Sequence, residues 1–285
     1  DHEVQNDWTF GKFKSNEDKP KKKQKYHVNT LKYGLRSYEA YQASLSPLLA
    51  TPKDFKLNGF PLTDSGTRYW YQFQHGDSGF FVLDTRGESE IREEENNDAP
   101  EILGIEQCAK LFAWLSDGRS QIKFIVSPIP FFPDTRGFIG SAEDKWFLAA
   151  EQRLKIIDHI RDLPNAPKVI ILSGDVHISG IAQLTHKHDS SFKIHNIISS
   201  AFNWVAPGLQ ENNFAWGKLV SKKTTSQMVN RGNAPWSNYE SKSLLKTKFG
   251  SPKIFKRNNF AVISVKPTTG STPDVTVKFI QGNSG

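Results

Sequence analysis

Residues 168–177 read KVIILSGDVH, and they constrain the fold of this 285-residue chain more than any other stretch. A run of mostly β-branched apolar residues followed by a Ser-Gly pair is typical of a buried strand that ends in a turn. Such a strand is buried only when other layers cover the sheet that contains it. The stretch therefore predicts a protein with a layered core.

Helical patterns occur on both sides of this region. Apolar residues recur at helical spacing in Leu31–Leu49 and in Ile105–Leu115. Ser141 and Asp144 resemble a capping box, which predicts a long amphipathic helix that ends near Leu163.

Strand patterns alternate with these helices. They cover 122–130, 168–177, 193–202, 258–265 and 274–280, and Arg68–Asp84 has the pattern of a hairpin with HGDSG as its turn. This order predicts an α/β fold with a mixed sheet. We expect a single domain over residues 1–285, with a long polar surface excursion at about 205–250.

Charge is unevenly distributed along the chain, although the net charge is only +7. Seven lysines lie between Lys12 and Lys25, and an acidic run extends from Glu88 to Asp98. The lysine run is typical of a solvated loop, or of a surface that attracts anionic substrates or an anionic membrane. The acidic run argues against a nucleic-acid footprint over the whole protein.

An aspartate and a histidine leave the buried strand two residues apart. Asp175 and His177 follow the Ser173-Gly174 pair. Ligands of open α/β sheets bind beyond the carboxyl ends of the strands, so both side chains can face one crevice. Because a carboxylate and an imidazole suit transition metals, the pair predicts a metal site. The alternative is that Asp175 caps a turn while His177 packs at the surface.

The first residues of the chain form a second polar cluster. Residues 1–7 read DHEVQND, and their imidazole, carboxylate and amide groups can bind a metal ion or a phosphate. A polar terminus of this composition is also typical of a disordered tail, so this cluster alone leaves both interpretations open.

Five segments in a fixed order point to one family. They are DHEVQND at 1–7, FFVLDTR at 80–86, SPIP at 127–130, EDKW at 143–146 and LSGDVHIS at 172–179. In this order they resemble the PhoD-type alkaline phosphatases, a branch of the calcineurin-like metallophosphoesterases. The resemblance covers nearly the whole chain outside the lysine-rich loop and the 205–250 excursion.

The resemblance implies a fold, a reaction and a set of metal ligands. The fold is an α-β-β-α sandwich of mixed sheets, and the reaction is hydrolysis of phosphomonoesters or phosphodiesters by a metal-activated water. The implied ligands are Asp1, Asn6, Asp175 and His177. Iron and calcium are the implied ions, with manganese or zinc as alternatives.

Two further residues receive roles from the resemblance. His2 lies where a histidine contacts the scissile phosphate or protonates the leaving group, which makes it the candidate catalytic residue. Arg86 matches the arginine of the family's L-D-x-R segment and is a candidate for substrate binding. The alternative is that Arg86 pairs with Asp84 or a nearby acid and is structural.

Two upstream parts of the family pattern do not occur here, an S-C-Q-like strand end and a G-D-x-x-Y-x-D motif. We therefore expect the N-terminal part of the fold to be missing from this chain. The chain then supplies the late half of the active site and is catalytically incomplete by itself. An upstream segment of the same gene product is the expected partner that completes the metal site.

Other functions and partners remain open. A non-catalytic module with the same fold would bind a phosphate or a lipid headgroup, and half of a split domain would serve to complete a complex. We expect a phosphoester substrate, no specific nucleic acid, and peripheral contact with an anionic membrane through the Lys12–Lys25 loop. The resemblance favours the secretory pathway or an extracellular location. The single cysteine, Cys108, excludes an internal disulfide framework but leaves the compartment open.

Overall fold

The structure of the chain is a computed structural model. It describes residues 8–9, 30–31, 33–38, 40–45, 69–89, 101–132, 146, 148–164, 166–176, 178–200, 238–245, 248–249, 254–255, 258–268 and 271–282.

A seven-stranded mixed sheet with the order β1-β2-β3-β4-β6-β5-β7 forms the centre of the described structure. Its strands are β1 (Tyr71–His75), β2 (Ser78–Val82), β3 (Ile122–Ser127), β4 (Lys168–Ser173), β5 (Gly180–His186), β6 (Asp189–Ile198) and β7 (Tyr239–Ser243). The pairs β2–β3, β3–β4 and β4–β6 are parallel, and the outer pairs are antiparallel. The four parallel strands therefore end at the same edge of the sheet.

Two helices cover one face of this sheet. They are α1 (Ile105–Ser116) and α2 (Ala150–Asp162). Trp114 of α1 and Ile157 of α2 share a buried core with Phe81, Ile125 and Ile171 of the sheet. No helix within the described ranges is long and apolar enough to cross a membrane.

A two-stranded sheet covers the opposite face. Its strands, β8 (Asn259–Thr268) and β9 (Ser271–Gln281), pair with each other in antiparallel register. Ile263 and Val277 pack against a core that contains Phe124 and Ile170. Because neighbouring residues of β3 and β4 face opposite layers, both strands are apolar throughout except at Lys123 and at their ends. The α/β sandwich class predicted from the sequence is confirmed.

The predicted helical pattern near the N-terminus is also confirmed. Residues 30–31, 33–38 and 40–41 are helical, and a 3-10 helix follows at Ala43–Leu45. Leu31 and Leu35 form a small buried cluster with Trp8 and Tyr69.

The start of one helix was predicted too early, and two strands were missed. The helix expected from Ser141–Asp144 begins only at Ala150, since Trp146 and residues 148–149 form turns. Trp146 is buried and its indole N–H donates to Ser127 Oγ at 3.0 Å, so tertiary packing decides this turn. β5 was not predicted, and β7 lies inside the predicted surface excursion, where Tyr239 is buried. β5 forms a hairpin with β6, and its other edge pairs with β7, which is distant in sequence.

Candidate active site

The candidate site lies at the carboxyl edge of the four parallel strands. Asp84 follows β2, Pro128 follows β3, Asp175 follows β4 and Ser199 follows β6. Backbone hydrogen bonds join these strand ends, from Gly174 N–H to the Pro128 carbonyl at 3.2 Å and from Ser199 N–H to the Ser173 carbonyl at 2.9 Å. Crevices at this edge are where α/β sheets bind ligands.

Asp175 sits at the centre of a strained turn. Its φ is 71°, and among the described residues it is the only non-glycine residue with a positive φ. The Val176 N–H donates to the Gly174 carbonyl at 2.9 Å, which closes a three-residue γ-turn. γ-Turns with positive φ are rare, and a side chain in this conformation costs about 1–3 kcal/mol. Strain of this kind persists where the fold holds a functional side chain in place.

Buried polar side chains lie directly beneath this turn. Ser173 Oγ donates to Asn196 Oδ1 at 2.9 Å, and Asn196 Nδ2 donates to the Phe132 carbonyl at 2.6 Å. Asn196 is completely buried and Ser173 is 9% exposed. Each polar atom of the Asn196 amide therefore has a partner, as a buried amide requires.

The turn after β2 is built around the Asp84 carboxylate. Its Oδ1 accepts hydrogen bonds from the Arg86 and Gly87 N–H groups at 2.9 and 2.8 Å. Gln107 of α1 donates to the Asp84 carbonyl at 3.1 Å and to Glu88 Oε2 at 2.6 Å. Burial raises the pKa of Asp84 to about 6, and Glu88 adds to this rise, while the Gly87 and Arg86 N–H groups oppose it.

The raised pKa of Asp84 predicts a pH dependence of stability. The folded chain keeps the Asp84 proton between the ordinary value of 3.8 and about 6, whereas the unfolded chain releases it. The folded state thus binds more protons in this window, so the contribution of Asp84 to stability decreases as the pH rises through it. Because Asp84 keeps some contact with water, we expect a decrease of about 2 kcal/mol.

Urea denaturation of the parent and of Asp84→Asn across this pH window measures the effect. The asparagine side chain still accepts hydrogen bonds from both N–H groups but does not titrate. The free energy of unfolding of Asp84→Asn should therefore lack the pH-dependent decrease expected in the parent. Asp274→Asn, which changes an exposed carboxylate on β9, is the control. Parallel pH profiles for the parent and Asp84→Asn would show that Asp84 titrates normally.

Arg86 connects this turn to the N-terminal segment. Its guanidinium Nη1 donates to the Trp8 carbonyl at 2.9 Å across 78 positions of sequence. Trp8 is buried, and it lies two residues after Asn6. The guanidinium of Arg86 thus holds the chain just after the DHEVQND segment through a backbone carbonyl. Both roles predicted for Arg86, pairing with an acid and binding of substrate, stay predictions.

The structure places two of the predicted site residues at one sheet edge. Asp175 and Arg86 lie beyond the ends of β4 and β2, with β3 between them, so the two strands are about 10 Å apart. His177 lies outside the described residues, as do Asp1, His2 and Asn6 of the N-terminal cluster. Among the residues that are described, no three His, Cys, Asp or Glu side chains group closely enough to hold a metal ion.

Sequence reasoning missed Asn196 and gave Ser173 no role in the site. A sequence signal was present for Asn196, because a polar amide interrupts the apolar run of the 193–202 strand. Gln107 and Glu88 were missed as well, because a glutamine within a helix and a glutamate in an acidic run are common on protein surfaces.

The fold and the strand-end carboxylate define an α/β sandwich protein with a candidate site at the carboxyl edge of a mixed sheet. The chain belongs to the family of PhoD-like phosphatases, because the family model of that description matches residues 1–254. The resemblance drawn from the five sequence segments is therefore confirmed.

Solved structures and curated sequences give two further comparisons. Two chains of solved structures match. In one of them, a structure of PhoD, the match covers 70% of this chain and 38% of that chain, with 22% identity and a TM-score of 0.46. This chain thus spans less than two thirds of that protein's length. No curated protein matches the chain.

Proposed function

We propose that the chain supplies the late half of an active site for metal-dependent hydrolysis of phosphomonoesters or phosphodiesters by a metal-activated water. The observation that carries this proposal is the carboxylate of Asp175, held by a strained turn at the carboxyl edge of the sheet in a PhoD-like phosphatase. Strained residues cluster at active sites, and a carboxylate at this edge faces the region where α/β proteins bind ligands.

The donor set fits a metal ion in its chemistry. Asp175 provides a carboxylate at the edge, and His177, Asp1 and Asn6 are the further ligands that we propose. Iron and calcium are the proposed ions, with manganese or zinc as alternatives. When bound, such ions lower the pKa of a water molecule and neutralise charge on phosphoryl oxygens.

The N-terminal segment has the second part in the proposal. His2 would contact the scissile phosphate or give a proton to the leaving group, a role that suits an imidazole near neutral pH. Arg86 supports this arrangement because its hydrogen bond to the Trp8 carbonyl holds the chain six residues beyond His2.

The proposed partners follow from the same reaction. They are a phosphoester substrate and an upstream segment of the same gene product that completes the metal site. Peripheral contact with an anionic membrane through the Lys12–Lys25 loop is also proposed, since clustered lysines attract anionic lipids. A secretory or extracellular location belongs to the same proposal.

Hydrolysis of bis(p-nitrophenyl) phosphate and p-nitrophenyl phosphate by the full-length gene product tests the proposed function. We expect hydrolysis that disappears after chelation and returns when iron with calcium, manganese or zinc is added. His177→Ala should lower the rate by about 100-fold or more, since loss of a ligand weakens the metal and the charge it neutralises.

His188→Ala is the matched control, because His188 is an exposed histidine in the turn between β5 and β6. It should leave the rate unchanged. Absence of hydrolysis with every metal would overturn the enzyme proposal. Retained binding of a phosphate or a lipid headgroup in that case would favour the non-catalytic module.

A further inference from the structure

We propose that Ser173 and Asn196 are positioning residues that fix the turn carrying Asp175, and through it the affinity of the site for a metal ion. This inference rests on the proposed function, because it takes Asp175 as a metal ligand. Neither side chain reaches the reacting atoms in this role. Both act through the backbone of the turn.

The Asn196 side chain links two parts of the site edge. Its amide nitrogen faces the Phe132 carbonyl, which can only accept, so its Oδ1 faces the Ser173 hydroxyl. The residue is fully buried on β6, beside Ile171 of β4 in the ladder. It therefore joins the strand that carries Asp175 to the loop that follows β3.

The same loop also holds the turn through the backbone. The Pro128 carbonyl accepts a hydrogen bond from Gly174 N–H. On the other side, the backbone carbonyl of Ser173 accepts one from Ser199 N–H. The loop itself is fixed by Ser127 Oγ, which donates to the Ile129 carbonyl at 2.6 Å. The turn is thus held from β3 on one side and from β6 on the other.

A strained turn requires such support. A γ-turn with positive φ relaxes unless its surroundings hold it, so the carboxylate of Asp175 keeps its direction only while these contacts persist. Side chains that orient a metal ligand from behind typically change metal affinity by about 10–100-fold when they are removed. We expect an effect of this size from the Ser173 hydroxyl.

The first measurement is hydrogen–deuterium exchange of the metal-free, full-length gene product. In Ser173→Ala the peptide covering 172–176 should exchange roughly tenfold faster, because a buried hydrogen bond is lost. Ser173→Thr, which restores the hydroxyl, should exchange like the parent. The control Ser243→Ala removes another buried strand-end hydroxyl that donates to a backbone carbonyl, at Leu245, and it should leave this peptide unchanged.

The second measurement is the dissociation constant for Mn²⁺ by calorimetry in the same variants. Ser173→Ala should bind about 10–100-fold more weakly, Ser173→Thr and Ser243→Ala like the parent, and Asp175→Asn not at all. Asn196→Leu should match or exceed the effect of Ser173→Ala, because it removes both hydrogen bonds. The milder Ser173→Ala keeps the test valid where Asn196→Leu does not fold.

The outcomes separate this inference from the proposed function. Unchanged hydrogen–deuterium exchange in Ser173→Ala overturns the positioning role, whether or not the affinity for Mn²⁺ changes. Faster exchange with unchanged Mn²⁺ affinity also overturns it, provided that Asp175→Asn abolishes binding. If Asp175→Asn binds Mn²⁺ with the same affinity as the parent, Asp175 is not a metal ligand. The positioning role of Ser173 and Asn196 is then overturned as well.

Discussion

Replacing Asp175 with glycine is expected to stabilise the fold and to remove most of the proposed phosphoester hydrolysis. The positive φ of 71° strains any residue with a Cβ, and glycine adopts it without strain. We expect the free energy of unfolding to rise by about 1 kcal/mol, since the greater freedom of glycine in the unfolded chain offsets part of the relieved strain. Under the proposed function, hydrolysis should fall by about 1000-fold, because a bound metal would contribute several kcal/mol at the reacting phosphate.

Two further variants separate the strain from the carboxylate. Asp175→Ala loses the carboxylate and keeps the strain, so it should be less stable than Asp175→Gly. Asp175→Asn tolerates the positive φ and should keep the stability of the parent while hydrolysis is lost. Urea denaturation of the chain and hydrolysis by the full-length gene product measure the two effects.

Equal stability of the glycine and alanine variants would contradict the strained turn. Full hydrolysis and full metal content in Asp175→Asn would contradict the assignment of Asp175 as a ligand. The two results are independent, since stability reports the backbone and hydrolysis reports the carboxylate.

Removal of the Lys123 side chain is expected to lower the free energy of unfolding by about 3–5 kcal/mol. Lys123 is completely buried within β3 and ends beneath the last turn of α1. Its ammonium donates to the Trp114, Leu115 and Asp117 carbonyls and pairs with Asp117 Oδ1 at 2.9 Å. In Lys123→Ala these carbonyls lose their buried ammonium donor, and the Asp117 carboxylate keeps Arg119 but loses Lys123 as a counter-charge.

Urea denaturation of Lys123→Ala and of Lys155→Ala tests this expectation. Lys155 is exposed on α2, so its replacement should change stability by less than about 0.5 kcal/mol. Lys123→Met keeps most of the apolar stem and should recover part of the loss. A change in Lys123→Ala as small as that in Lys155→Ala would show that water or another group satisfies the end of α1.

Local patterns in the sequence predicted the elements that such patterns mark clearly. β3 and β4 were predicted from continuous apolar runs, the β1–β2 hairpin from strand-forming residues around a turn, and α1 from apolar residues at helical spacing. β5 and β7 lack such a pattern, since the apolar residues of GIAQLTH do not alternate with polar ones and YESKS lies in a polar stretch. They become strands because β6 lies next to β5 in the sheet and β5 in turn pairs with β7.

The sequence likewise predicted some features of the candidate site and missed others. Asp175 could be found from the sequence, because a carboxylate directly after a buried strand is a local pattern. Its strained turn could not, since the φ of that residue depends on contacts from β3 and β6. Asn196 and Lys123 looked like interruptions of apolar strands, and only their partners in other elements show why a buried polar group is tolerated.

By itself, the sequence determined the layered α/β class, the family and the aspartate at the end of β4, because each can be recognised from short local segments and their order along the chain. The tertiary structure alone decided the order of the strands, the late start of α2 and the buried contacts that hold Asp84, Lys123 and Asn196. The physical reason is that a buried polar group is stable only beside its partner. The sheet brings those partners together from distant parts of the chain.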